Sequence, residues 1–254
     1  MSREYLFHPH GAETKAKPKF DADTEEEHSH EKWIENLRER VIAIYPELED
    51  IDLSVLFLDP KNYEQDIRGS HMVPDSEETH GINIDMGGEL QLELAKTKRP
   101  VSVEIAAKLI GIAPEHLTSE VFNTFVFLHE YGHAHDFVTH YQNAEASKSL
   151  TTDQMADVWH TDYVQQRSKL PIPNTSTAEL IEKLSKESLV EFLKTRPVTN
   201  ARLNSLNLKT TQEVINAQDA AYRSIPKEKY ADAFAASFIK KYLPEIIRDI
   251  EKSG

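Results

Sequence analysis

The 254-residue sequence contains no cysteine. That single absence removes disulfides, thiolate zinc sites and cysteine nucleophiles together, so any metal ligand or catalytic group must come from other side chains. Long apolar runs are missing too. No segment approaches the ~18 apolar residues that a membrane span requires, and the N-terminal MSREYLFHPHGAETK lacks the apolar core of a signal peptide. A cytoplasmic protein is the expectation. Positive charge is also short, 29 Lys and Arg against 43 Asp and Glu, for a formal net charge of −14. A field of that sign repels phosphate backbones and anionic lipid, and no basic patch reverses it, so neither nucleic acid nor a membrane is an expected partner.

What remains is an ordinary globular composition, 39% hydrophobic and 28% charged, in a chain long enough to bury a core. Residues 1–30 are polar, close on DADTEEEHSH and read as a flexible tail. Residues 31–254 read as one domain with a helical extension and a sub-boundary near 170–176. From Glu31 the pattern is helical, with Trp33, Ile34, Leu37, Val41, Ile42 and Tyr45 at three- and four-residue steps up to Pro46. LSVLFLDP, residues 53–60, reads as a buried strand, and the stretch through RGSHM that follows reads as irregular loop. Residues 82–86 and 90–94 alternate apolar and polar around Gly87 and Gly88, the signature of a hairpin. Beyond Pro100 a helical period covers 102–110, 118–141, 151–168, 177–194, 211–223 and 226–250, with a break expected at Pro244.

Inside the second of these helices stands FLHEYGHAHDF, residues 127–137. Residues four apart share a helix face, so His129 and His133 project together and can hold one zinc ion, while Glu130, about 100° around, reaches a water there without being a ligand. The HExxH motif follows Phe122, Phe125, Val126, Phe127 and Leu128, which place it on a buried helix where unpaired imidazole and carboxylate are costly and a metal removes the cost. The expected fold is therefore α+β, a small β-sheet with a hairpin packed on a buried active-site helix, followed by a mainly helical C-terminal part.

A third ligand is needed. The metzincin spacing points to position 139, which is Thr139, with His140 one residue off; the spacing of zinc aminopeptidases points to Thr152. EKYADAFAASF, residues 228–238, offers Glu228 and Asp232 on one helix face, one to bind zinc and one to orient a ligand histidine. Its alanines leave room for two helices to approach closely. TTDQMADVW offers Asp153 as an alternative third ligand, with Asp157 at the same four-residue spacing. Glu228 is favoured for its longer reach. His160, Tyr222 and Tyr230 are candidate donors to a transition-state oxyanion. His135 reads as a rim residue, and Asp136 as a support for a ligand or a solvated carboxylate.

HEYGH followed by E-x-x-A-D-x-F-A resembles the gluzincin metallopeptidases, particularly the ImmA/IrrE-type proteins and the CAAX-prenyl-protease and heat-shock peptidases. The resemblance covers these two segments. It implies a zincin-like fold with one Zn2+ per chain and Glu228 as third ligand. It further implies a peptide or protein substrate, bound extended along the edge strand of the sheet, a role for residues 82–86 by analogy. The expected function is a zinc-dependent peptidase with Glu130 as general base. The alternative is a zinc-binding regulatory or protein-interaction module of the same fold without turnover, against which the presence of Glu130 speaks.

Overall fold

The computed structural model describes residues 25–61, 63–74, 79–170 and 205–253. The expected helix 177–194, the sub-boundary beyond residue 170 and the expected tail up to residue 24 lie outside them. Helix α1 spans Glu25–Ile44, starting six residues ahead of the expected boundary at Glu31. Glutamates are strong helix formers and suit a helix N-terminus, which favours the longer helix. Among the described residues no helix is long and apolar enough to cross a membrane.

The fold is α+β. Strands β1 (Asp52–Phe57), β2 (Arg68–Met72) and β3 (Gly81–Met86) form one sheet in the order β1-β3-β2. β3 runs parallel to β1 and antiparallel to β2. The central strand sends Ile82, Ile84 and Met86 into the core. β1 was expected to be buried but is an edge strand, with Leu56 54% exposed.

Two expectations about this region are corrected. The partner of residues 82–86 is not 90–94. Those residues lie in helix α2, Glu89–Lys98. The alternation of Leu90, Leu92 and Leu94 misled, because Gln91, Leu92 and Ala95 form the buried face, and the Gln91 side chain accepts from the Gly88 N–H at 3.1 Å while donating to the Asp59 carbonyl at 3.0 Å. The true hairpin neighbour of β3 is β2, the RGSHM stretch read as loop. Gly, Ser and His carry little strand propensity, so nothing in its composition announced it.

Helices α3 (Pro100–Ile110), α4 (Ser119–Phe137), α5 (Thr152–Ser168), α6 (Thr211–Arg223) and α7 (Pro226–Ser253) complete the described structure. The Thr118 side chain accepts from the Val121 N–H and starts α4, which ends in a wider turn over Val138–Gln142. Nearly all of α4 is buried, including the polar Asn123, Thr124, His129, Glu130, His133 and Asp136. α7 runs through Pro244 without the expected break. Burial of Ile246 and a 2.7 Å ion pair from Arg40 to Asp249 hold the segment beyond the proline in place.

The helices α4 and α7 touch at backbone distance. A Cβ placed on Gly132 would stand 2.7 Å from the Cα of Ala231, so the glycine inside HEYGH and the alanine inside EKYADAF are what let these helices close. The contact falls within one helical turn of His129 and His133 on α4 and of Glu228 and Asp232 on α7.

Candidate metal centre

His129 and His133 leave α4 one turn apart, with their Nε2 atoms 3.1 Å from each other. Glu228, in the first turn of α7, brings Oε2 to 3.3 Å from His129 Nε2 and Oε1 to 3.5 Å from His133 Nε2. All three side chains are buried, and one ligand atom from each lies within 4.8 Å of the others. Ligands bound tetrahedrally at ~2.0–2.2 Å from a zinc ion stand roughly 3.3 Å apart. The donor set and its spacing therefore fit such an ion.

The residues around the trio divide the support. Asp232, one turn after Glu228, places Oδ1 3.0 Å from His129 Nδ1, the position from which a carboxylate fixes a ligand imidazole. Among the described residues His133 has no such partner at Nδ1; its ring is held between His71, 6.2 Å away and nearly parallel, and the edge of Trp159 at 6.4 Å. Arg223, the last residue of α6, is buried, with Nη1 3.2 Å from Glu228 Oε2 and Nη2 against Asp232 Oδ1. His133 and His129 outweigh the effect of burial and hold the Glu228 carboxyl well below its usual range.

Glu130 faces the same cavity. Burial pushes its carboxyl up, with His129 and His133 pulling the other way. β2 lies directly over it: a Cβ on Gly69 would come 2.5 Å from Glu130 Cγ and 2.7 Å from Oε1, so only glycine leaves this carboxylate its position. The cavity measures about 390 Å3 and opens between β2, α4, α5 and α6.

Tyr222 lies in the wall of this cavity and has a partner that sequence reasoning missed. Tyr163, from α5, donates its hydroxyl to Glu228 Oε1 at 2.9 Å and stands 3.0 Å from the Tyr222 hydroxyl. Burial and the Glu228 charge raise the pKa of both phenols, so both stay protonated. His160 also lines the cavity, from an exposed position on α5. Tyr230 does not. It lies 2.7 Å from His135 Nδ1 and stacks on that ring, outside the cavity wall. Asp153 and Asp157 are exposed on α5, and neither belongs to the trio or its cavity. Asp136 is buried and joins three elements, accepting from Trp159 Nε1 at 3.2 Å and from Lys227 Nζ at 3.1 Å.

His71 was missed because its strand was missed. It lines the cavity, its Nε2 lies 2.8 Å from His80 Nε2, and burial holds its imidazole well below the usual range. Trp159, Tyr163 and Arg223 had no motif to reveal them, although Trp159 and Tyr163 share the four-residue spacing of a helix face. Comparison with models of protein families, with curated proteins and with solved structures gives no match.

Proposed function

We propose that this chain is a zinc-dependent peptidase of the gluzincin type, with a zincin-like fold, in which His129, His133 and Glu228 hold one Zn2+ and Glu130 is the general base. The reading is carried by one observation: two imidazoles and a carboxylate from distant helices converge at ligand spacing beside a further buried carboxylate that faces the same cavity. A purely structural metal site has no use for that last group.

When bound, zinc supplies Lewis acidity, lowering the pKa of water toward about 7 and polarising a carbonyl. Glu130 accepts the proton of the attacking water and delivers it to the leaving amine. Burial raises the Glu130 carboxyl, and a raised carboxyl suits a group that must both take and return a proton. Asp232 fixes the His129 ring with Nε2 toward Glu228. Tyr222, kept protonated, and His160 line the cavity and are the candidate donors to the oxyanion that develops on the substrate carbonyl, whereas the Tyr163 hydroxyl is committed to Glu228. The Arg223 guanidinium offsets the charge of Glu228 and Asp232.

The peptide or protein substrate lies extended along β2. Among the described residues this edge strand, not 82–86, has an unpaired side, because 82–86 is central and paired on both sides. Gly69, Ser70 and His71 of β2 all line the cavity. Glu130→Gln tests the reading. The variant should retain one zinc per chain and lose cleavage of an unstructured protein such as casein by on the order of a hundred- to ten-thousand-fold. Cleavage unaffected by the substitution would refute the assigned role. Zinc retention without cleavage by either form would make the chain a binding module instead.

A further inference from the structure

We propose that Arg167 anchors a carboxylate of the bound peptide, so that the cavity selects substrates carrying negative charge on one side of the scissile bond. The inference rests on the peptidase reading for the kind of molecule bound and adds which members of that class are taken.

Helix α5 lays Trp159, Tyr163 and Arg167 on one face at four-residue steps, and all three line the cavity. The Trp159 and Tyr163 rings stack 4° from parallel with centroids 5.5 Å apart. The Arg167 guanidinium sits 5.9 Å from the centroid of Tyr163, the same ring whose hydroxyl touches the ligand Glu228. Arg167 is thus one aromatic ring away from the metal centre.

Three arginines line this cavity, and two are already engaged. Arg99 donates Nε and Nη2 to Asp66 at 3.0 and 2.7 Å, and Arg223 is held by Glu228 and Asp232. Arg167 has no carboxylate partner among the described residues; its contact is the Tyr163 ring. An arginine is always charged, and its planar fork matches a carboxylate through two parallel hydrogen bonds. Phe122, Phe125 and Val126 also line the cavity and give it an apolar stretch, and a low local dielectric strengthens such a pair. The acidic groups of the cavity face elsewhere or are occupied: Asp219 accepts from the Ser102 N–H and hydroxyl, and Glu130 and Glu228 belong to the metal centre. Of the three arginines in the cavity, Arg167 is therefore the one left to meet a substrate carboxylate.

Two sources can supply that carboxylate, an acidic side chain or the peptide C-terminus. Zinc-loaded Glu130→Gln protein, which binds without turnover, distinguishes them by fluorescence anisotropy with three labelled short peptides of one sequence. One carries glutamate and an amidated terminus, one carries glutamine and an amidated terminus, and one carries glutamine and a free terminus. At least one carboxylate peptide should bind on the order of tenfold more tightly than the amidated glutamine peptide. Adding Arg167→Gln should erase that difference, and Arg167→Lys should keep part of it. Preference for the first peptide assigns a side-chain carboxylate, preference for the third the chain terminus. A preference that persists in Arg167→Gln, or none in the parent, overturns this inference and leaves the peptidase reading intact. Failure of all three peptides to bind overturns both.

Discussion

Asp232 and His80 show how single side chains set the conditions of the site. Asp232 reaches the proposed centre through the His129 imidazole 3.0 Å away. Asp232→Asn should weaken zinc binding by about 10–100-fold, read by competition with a chromophoric chelator, and an unchanged affinity would show that the carboxylate is a bystander. His80 acts on stability. Burial lowers its imidazole from 6.5 to about 4, so between these values the unfolded chain binds a proton that the folded chain refuses. Its contribution to stability is complete above pH 6.5 and is lost as pH falls through about 4. Urea unfolding of metal-free protein should give a stability that falls between pH 7 and pH 5, with a shallower fall in His80→Gln. Equal slopes would contradict the assignment. The residues readable from sequence were those with a spacing rule. His129, Glu130, His133, Glu228 and Asp232 each announce a partner three or four positions away, whereas Arg223 and His71 act across elements and carry no such mark.

At the scale of elements, the contact between α4 and α7 decides whether the ligands meet. Gly132→Ala sets two effects against each other. Alanine stabilises a helix interior by about 1 kcal/mol over glycine. Overpacking costs about 1–3 kcal/mol, and here it wins, because the atom struck at 2.7 Å is the Cα of Ala231 and cannot rotate away. The variant should be less stable than the parent in urea and bind zinc more weakly, since α7 carries Glu228. A stabilised variant with unchanged zinc affinity would show that the helices have slack. Alanine-rich composition in residues 228–238 made this close approach readable. The sheet was less so. A five-residue strand containing Gly69 and Ser70 looks like a loop, and three leucines at alternate positions in a helix look like a strand, until burial shows which faces are covered.

Across the whole molecule, the proposed centre ties together segments far apart in the chain. α4 follows the sheet, α7 closes the described structure, and α5 and α6 form the wall between them. The α+β class was readable because helical period dominates after Pro100. The cavity was not, because it is built from β2, α4, α5 and α6 together. An ion shared by α4 and α7, as proposed, would bind the folded chain and not the unfolded one, so zinc at a hundred times its dissociation constant should add about 2.7 kcal/mol of stability. The most direct measurement is calorimetric titration of the metal-free protein with zinc, beside Glu228→Ala. The account predicts one zinc per chain, with affinity reduced by more than about 100-fold in the variant, a larger loss than that from a residue supporting a ligand. No zinc uptake by the parent, or equal uptake by both proteins, would contradict it.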